Sequence, residues 1–274
     1  MRLLIFGLGY VGRAMAAQAR LAGWTVAATG RSPSAELGVE AVALEAAAAA
    51  AMRADAVLIT APPDDDGCPG LRALEPGLGG QKWVGYLSST AVYGDYGGGW
   101  VFEDSPLRPK SAEGVRRAAA EQAWLGAGRS RRLSIAVMRL PGIYGPGRSP
   151  LDRLRSGQAR SLVREGQVFS RIHVDDLVAG LQASIARPRA GGVYNLCDDE
   201  PAPAHIVTAH GATLLGLPAP RLDPYLEETA PPEARRFYAE SKRVSNALAK
   251  AELGWRPRYP TYREGLAAIL AAEA

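Results

Sequence analysis

Short apolar runs alternate with helix-like segments along much of the chain. The runs occupy residues 3–6, 25–28, 56–60, 83–87 and 134–140. Near-continuous apolar strands separated by helical segments are typical of a parallel sheet that helices cover on both faces. Ligands of such sheets bind at the carboxyl ends of the strands, so the loops that follow these runs are expected to form the functional site.

The first predicted strand leads directly into a glycine-rich turn with the spacing Gly7-x-Gly9-x-x-Gly12, and a helical stretch follows. Gly7 permits the tight turn, Gly9 leaves room for a pyrophosphate at the backbone, and Gly12 allows the helix to pack closely on the sheet. The N–H groups and the dipole at a helix start favour phosphate. A glycine turn without a ligand is the alternative. We predict a dinucleotide site at Gly7, Gly9, Tyr10, Val11 and Gly12.

The segment after the second strand indicates which dinucleotide binds. Sites that prefer NAD usually carry Asp or Glu there, which accepts a hydrogen bond from the ribose 2′-hydroxyl. This chain has Arg31 and Ser32 instead, with no acidic residue before Glu36. Because a guanidinium and a hydroxyl suit a 2′-phosphate, we predict NADP as the cofactor, with NAD as the alternative. In that alternative Arg31 is a solvated loop arginine.

Composition and charge narrow the class of protein. The 274 residues suffice for one large α/β domain or for a core with a small lobe, and the formal net charge is only +4. The basic residues are scattered, so we expect no nucleic acid partner. Cys68 and Cys197 show no metal-ligand spacing, and His205 and His210 have no carboxylate at ligand spacing, so no metal site is predicted. Without a signal peptide or a long apolar run, a cytoplasmic protein that binds a small molecule and no membrane is expected, in an oligomeric state left open.

Six motifs in a fixed order give the chain a family resemblance. They are the glycine turn at residues 7–12, SSTAVYG at 88–94, EDSP at 103–106, RLPGIYGPG at 139–147, RIHVDDL at 171–177 and YNLCDD at 194–199. With these motifs the chain resembles the extended short-chain dehydrogenases of the NAD(P)-dependent epimerase/dehydratase superfamily. Within that superfamily it resembles the small, atypical, bacterial YeeZ-like branch.

The resemblance implies an α/β fold with a Rossmann-type doubly wound parallel sheet and a small C-terminal, substrate-facing lobe. Stretches rich in proline and glycine at residues 141–150 and 217–232 are the best candidates for leaving and re-entering the core. We therefore expect residues 1–145 and 172–198 to form the dinucleotide-binding core. Residues 146–171 and 199–274 are expected to form the lobe.

Four further residues at the predicted strand ends are expected to complete the dinucleotide site, since ligands gather there. They are Ala61, Pro62, Ser88 and Pro141.

In the superfamily, catalysis uses a Ser or Thr, a Tyr, and a Lys four residues after the Tyr. The tyrosine moves a proton to or from the substrate oxygen, and the hydroxyl residue orients that oxygen. The resemblance assigns the hydroxyl role to Ser89, but it places Glu113 at the tyrosine position and Arg117 at the lysine position.

This departure disfavours ordinary carbonyl reduction, because an ionised carboxylate accepts a proton but does not donate one. We expect a Glu113–Arg117 pair at i, i+4 that keeps the carboxylate ionised. Base-assisted chemistry with Glu113 as proton acceptor stays open. The alternative is an ion pair on the helix surface with no role in catalysis.

Other residues that carry a phenol or an amine are expected to have structural roles. Tyr93 and Tyr144 lie in strand-end loops, where either would supply the missing phenol, but packing is the commoner role for a Tyr before Gly. A literal Tyr-x-x-x-Lys occurs at Tyr238 and Lys242, well past the strand-end loops, and is interpreted as coincidental.

Two hypotheses follow for the function. The first is an NAD(P)-dependent oxidoreductase or epimerase-like enzyme with altered catalytic residues, acting on a sugar- or nucleotide-linked substrate. The second is a catalytically inactive, NADP-binding redox sensor or partner-binding module. The nearly complete set of strand-end loops favours the first, and the loss of the Tyr and Lys favours the second.

Overall fold

The computed structural model of the protein describes residues 1–30 and 38–273. Within these residues the strands are β1 (Arg2–Phe6), β2 (Thr25–Thr29), β3 (Glu40–Ala41), β4 (Ala56–Ile59), β5 (Trp83–Ser89), β6 (Trp100–Val101), β7 (Ile135–Leu140), β8 (Gly142–Tyr144), β9 (Ser161–Val163), β10 (Arg171–His173), β11 (Gly192–Asn195), β12 (Leu222–Pro224) and β13 (Arg243–Val244). The α-helices are α1 (Tyr10–Leu21), α2 (Ala47–Met52), α3 (Pro69–Leu74), α4 (Ala112–Arg131), α5 (Pro150–Arg155), α6 (Val174–Ala186), α7 (Ala204–Leu214), α8 (Pro232–Tyr238), α9 (Ala247–Leu253) and α10 (Tyr262–Ala272). None of the described helices is long and apolar enough to cross a membrane.

A parallel sheet forms the centre of the described structure, with seven strands in the order β3–β2–β1–β4–β5–β7–β11. Every pairing within it is parallel. The strand order reverses between β1 and β4, and such a reversal creates the crevice in which doubly wound sheets bind their ligands. The predicted α/β class and the Rossmann-type doubly wound sheet are confirmed.

The apolar pattern located the strands better than it located the ends of the elements. β5 continues past residue 87 because it pairs with β7 as far as Ser89 and Leu140. α1 begins at Tyr10, directly after Gly9, rather than at residue 13. Both shifts matter for function, since they bring Ser89 and Tyr10 to the carboxyl edge of the sheet.

Alternate side chains of the sheet pack into two cores, one on each face. In β1, Leu3 and Ile5 belong to the first core, whereas Leu4 and Phe6 belong to the second. Helices α1, α6 and α9 contribute to the first core, and α2, α3 and α4 contribute to the second. A strand that is buried on both faces has to be apolar at every position, which explains the continuous apolar runs of the sequence.

Three pairs of short strands and a third apolar core of the described structure lie outside the central sheet. Among the described strands, β8 pairs with β10, β9 with β12 and β6 with β13, all outside the central sheet. A third core joins α5, α7 and α10 through Leu151, Val207 and Leu266. Helix α9 was predicted to lie in the lobe, but its Leu253 belongs to the first core of the sheet. Part of the 199–274 segment therefore covers the Rossmann sheet, and the boundaries of the lobe remain a prediction.

Candidate functional site

A cavity of about 320 Å³ opens at the carboxyl ends of β1, β4, β5 and β7. It lies at the crevice that the strand order creates, as expected for a doubly wound sheet. The predicted site residues that line it are Gly9, Tyr10, Val11, Ser88, Ser89, Glu113, Arg117 and Pro141. The sequence motifs that were assigned to cofactor binding and to catalysis thus meet at one cavity.

The glycine turn has the shape that a pyrophosphate requires. Gly7 has a φ of +102°, and a Cβ there would lie 2.7 Å from the Thr60 Oγ1 atom. A Cβ at Gly12 would lie 2.5 Å from the Gly7 carbonyl oxygen, so the turn and the helix pack without room for a side chain. A Cβ at Gly9, in contrast, would meet nothing within 4 Å. Helix α1 begins without a side-chain cap, so its first N–H groups are directed at this open space.

Ser88 and Ser89 end β5, and their hydroxyl groups have different surroundings. The Ser89 Oγ accepts a hydrogen bond from the Ala91 N–H at 3.1 Å, so its own proton is available to a ligand. The Ser88 Oγ donates to the Glu121 Oε1 at 2.5 Å and is buried. Ser88 was predicted to contact the dinucleotide; it lines the cavity, while its hydroxyl bonds Glu121 in the interior.

Helix α4 carries Glu113 and Arg117 to the cavity. Its first turn is fixed by Ser111, whose Oγ accepts a hydrogen bond from the Gly114 N–H. Residues four apart share one face of a helix, which places both side chains on the cavity side. Glu113 is exposed and Arg117 is half-buried.

The expected ion pair between Glu113 and Arg117 does not occur among the described residues. The Arg117 Nη1 atom instead donates a hydrogen bond to the Leu87 carbonyl oxygen at 2.6 Å. The guanidinium also lies near Tyr86, where burial raises the pKa of the phenol and the charge of Arg117 partly offsets that rise. Arg117 therefore turns toward the end of β5, because a strand-end carbonyl offers a better-fixed acceptor than an exposed carboxylate.

A buried ion pair between Glu121 and Arg139 lies beneath the cavity. Arg139 donates through Nη2 at 2.8 Å and through Nε at 3.2 Å to the Glu121 carboxylate. The side chain of Glu121 is 0% exposed and that of Arg139 is 6% exposed. Together with the Ser88 hydroxyl, this pair connects α4, β7 and β5.

The hydrogen-bond network continues from Arg139 to β11. The Arg139 Nη1 atom donates to the Tyr93 hydroxyl at 3.0 Å, and this hydroxyl donates to the Asn195 Oδ1 at 2.8 Å. The Asn195 N–H donates to the Glu103 Oε1 at 2.9 Å. Ser88, Tyr93, Glu103, Arg139 and Asn195, which come from four of the sequence motifs, are thus joined in one hydrogen-bond network.

Tyr93 and Tyr144 have packing roles, and neither lines the cavity. Burial raises the pKa of Tyr93 to about 12, against the opposing influence of Arg139. Tyr144 is buried and packs edge-on against His173. The missing phenol is therefore not replaced from these two positions.

The Tyr-x-x-x-Lys segment lies away from the glycine turn. Tyr238 lines a separate cavity of about 140 Å³ and donates its hydroxyl proton to the Leu162 carbonyl oxygen. The Lys242 amine forms an ion pair with Glu240 at 2.5 Å. Both side chains are used within the fold, in agreement with the interpretation of this motif as coincidental.

Several predicted residues are not among those lining the cavity. Gly7 and Gly12 belong to the glycine turn but are packed against other protein atoms, and Ala61 and Pro62 do not line the cavity either. Arg31 and Ser32 fall outside the described residues. No group of three or more His, Cys, Asp or Glu side chains in the described ranges is arranged to hold a metal ion.

Sequence reasoning missed five residues that line the cavity: Thr60, Leu87, Leu140, Ile143 and Arg148. Thr60 ends a predicted apolar run, and its Oγ1 donates to the Gly7 carbonyl oxygen at 2.5 Å. The position of Thr60 at the end of a predicted strand would have identified it as a site residue from the sequence. Arg148 lies in a loop rich in proline and glycine, and no spacing in the sequence marks it.

Comparison with known proteins relates this chain to a family of NAD-dependent enzymes. Residues 78–197 match the NAD dependent epimerase/dehydratase family. The chain is 28% identical to Protein YeeZ of Escherichia coli K12 over 289 residues, which covers 94% of this chain and 96% of that protein.

Two solved structures show how far the similarity of fold extends. A functionally unknown conserved protein from Silicibacter pomeroyi DSS is 42% identical, with a TM-score of 0.90 over 99% of this chain and 98% of the other. The UDP-glucose 4-epimerase of Thermus thermophilus, in complex with NAD, is 23% identical, with a TM-score of 0.80 over 99% and 98% of the two chains. The second similarity concerns the fold alone.

The Glu121–Arg139 pair gives a prediction about stability. Glu121→Gln leaves a buried guanidinium without its counter-charge, so we expect a loss of about 3–5 kcal/mol in the free energy of unfolding. Glu75→Gln, in the exposed pair with Arg131, is the matched control and is expected to cost less than about 1 kcal/mol. Chemical denaturation measures both variants, and equal losses would contradict the role given to the buried pair.

The open space at Gly9 gives a prediction about binding. The Cβ atom of a Gly9→Leu side chain meets no protein atom within 4 Å, and the side chain extends into the space assigned to the pyrophosphate, so we expect a folded variant that no longer binds dinucleotide. Gly79→Leu is the control, because Gly79 is exposed and equally open but lies away from the cavity. Thermal unfolding and titration calorimetry measure the two effects. Normal binding by a folded Gly9→Leu variant would place the phosphate site elsewhere.

Proposed function

We propose that the protein is a nicotinamide-dinucleotide-dependent enzyme with altered acid–base residues, because residues 78–197 match the NAD dependent epimerase/dehydratase family and the chain is similar to Protein YeeZ over most of its length. The observation that carries this proposal is the meeting of Ser89, Glu113 and Arg117 at the cavity of the glycine turn. Its substrate would be sugar- or nucleotide-linked, as in the UDP-glucose 4-epimerase that shares the fold.

The residues present fit a dinucleotide. The open face at Gly9 and the uncapped start of α1 would hold the pyrophosphate. Arg117, with its guanidinium at the end of β5, would hydrogen-bond the ribose next to the nicotinamide, in place of the family lysine. A bound oxidised dinucleotide supplies a hydride acceptor at this place.

Glu113 is proposed as the proton acceptor in the oxidation of a substrate alcohol. As the C–H bond of the carbinol carbon breaks, its hydride would pass to the acceptor that a bound oxidised dinucleotide supplies, Glu113 takes the hydroxyl proton and a carbonyl forms. The Ser89 hydroxyl is free to donate a hydrogen bond to the reacting oxygen, which orients the substrate. A carboxylate can accept a proton but has none to donate, so the alcohol is the reactant in the favoured direction.

A binding protein without catalysis is the second candidate. It is favoured by the inward turn of Arg117 and by the exposure of Glu113, which has no ion-pair partner among the described residues. In this case the protein binds NADP in the cavity and acts as a redox sensor or as a module that recognises a partner. The two candidates share the cofactor site and differ only in proton transfer.

Proton transfer is tested with Glu113→Gln. The enzyme hypothesis predicts that the rate at which nucleotide sugars or bacterial metabolite extracts reduce the bound dinucleotide falls about a hundredfold or more, at unchanged dinucleotide affinity. Glu45→Gln is the control, since Glu45 is exposed and lies outside the cavity. Nicotinamide fluorescence follows the reaction. A protein that binds dinucleotide tightly but never reduces it would favour the sensor.

The choice of cofactor is tested at Arg31. We propose that NADPH binds more tightly than NADH, because Arg31 and Ser32 follow β2 in the sequence, where sites that prefer NAD usually carry Asp or Glu. Arg31→Asp is expected to weaken NADPH about tenfold or more through loss of a charge-assisted hydrogen bond. Arg53→Asp makes the same change of charge at an exposed arginine away from the cavity. Calorimetry showing that the unchanged protein prefers NADH would refute the NADP assignment.

A further inference from the structure

Arg148 is a cavity-lining arginine to which neither the motifs nor the proposed chemistry gives a role. It is exposed, and no carboxylate of the described residues forms an ion pair with it. Its Cζ atom lies over the ring of Tyr10, 5.5 Å from the centroid. Building on the proposed dinucleotide site, we propose that Arg148 binds the pyrophosphate of the dinucleotide together with the start of α1.

The loop that carries Arg148 is fastened to the first residue of α1. Gly145 and Arg148 exchange two backbone hydrogen bonds, of 3.3 and 3.0 Å, and so close a tight turn. The Tyr10 hydroxyl donates to the Pro146 carbonyl oxygen at 3.1 Å. A Cβ at Gly145 would lie 2.5 Å from the Tyr10 hydroxyl oxygen and 2.7 Å from Val174 Cγ1, so only glycine allows this approach. The position of Arg148 is thereby tied to the glycine turn.

The other side of the turn is anchored by the start of α5. The Ser149 N–H and Oγ both donate to the Asp152 Oδ2 at 2.7 Å, which forms a capping box. The carboxylate nearest to Arg148 in sequence is thus used by the helix cap. The backbone of Arg148 is therefore held on one side by the contact between Tyr10 and Pro146 and on the other by the capped start of α5. Its guanidinium keeps its charge available for a ligand.

The position of Tyr10 connects the guanidinium to the phosphate. Tyr10 follows Gly9 directly and is the first residue of α1, so its backbone N–H is one of the groups that a pyrophosphate would approach. A guanidinium on an aromatic face is held by cation–π attraction, which reduces the entropy it loses on binding. A guanidinium also matches two phosphate oxygens at once. The helix start and Arg148 together provide two positive groups for a doubly charged pyrophosphate.

The two arginines of the cavity have different surroundings. Arg117 is bonded to the end of β5, beside Ser89 and Glu113, where the proposed chemistry takes place. Arg148 contacts α1 instead, through Tyr10. This division favours a role for Arg148 in holding the cofactor rather than the reacting part of the substrate.

The proposal is tested by titration calorimetry with NADPH, ADP-ribose and AMP. Arg148→Ala is expected to weaken NADPH and ADP-ribose, which contain a pyrophosphate, about tenfold to a hundredfold. AMP, which has a single phosphate, is expected to change much less, and Arg148→Lys is expected to recover part of the loss. Arg153→Ala is the control, since Arg153 is exposed, lies five residues further along the chain and does not line the cavity.

The outcomes separate this proposal from the proposed function. Unchanged NADPH and ADP-ribose affinity in a folded Arg148→Ala variant would overturn the role of Arg148 while leaving the dinucleotide site intact. A rise in the substrate KM at constant dinucleotide affinity would also overturn it, because Arg148 would then bind an anion of the substrate. Absence of dinucleotide binding in the unchanged protein would overturn both proposals.

Discussion

The ion pair between Glu121 and Arg139 is the interaction on which the arrangement of the site depends. It links α4 to β7, and through the Ser88 hydroxyl it links both to β5. A buried carboxylate and a buried guanidinium are costly to desolvate, and only a complete set of partners offsets that cost. Because neither group can lose its partners cheaply, the elements that carry Ser89 and Glu113 keep one relative arrangement.

The sequence was sufficient for the fold and for the glycine turn at the cavity. Strands buried on both faces must be apolar throughout, so they are visible as continuous runs, and the pairing of β5 with β7 only extended one of them to Ser89. The turn from Gly7 to Gly12 was equally clear, because close packing and open space impose glycine at fixed spacing. Spacing within α4 also sufficed to bring Glu113 and Arg117 to one face of the helix.

The direction of individual side chains and their distant partners could not be predicted. Arg117 was expected to pair with a carboxylate one turn away, but it bonds a carbonyl that is thirty residues distant in the sequence. The partnership of Glu121 with Arg139 depends on how a helix lies on a sheet, and no local pattern records it. Arg148 reaches the cavity only because a loop folds back onto Tyr10. Long-range packing decides all three, whereas sequence periodicity reports local geometry.

The exposed position of Glu113 and the strand-end contact of Arg117 bear on how such a cleft diverges during evolution. Glu113 is exposed and takes no part in the Glu121–Arg139 network beneath the cavity, and replacing such a surface residue changes folding free energy little. The residue at position 113 is therefore exchangeable in a chain that stays folded. One inherited scaffold can in this way give rise to descendants with different reactions, because its architecture is maintained by residues that take no part in the chemistry.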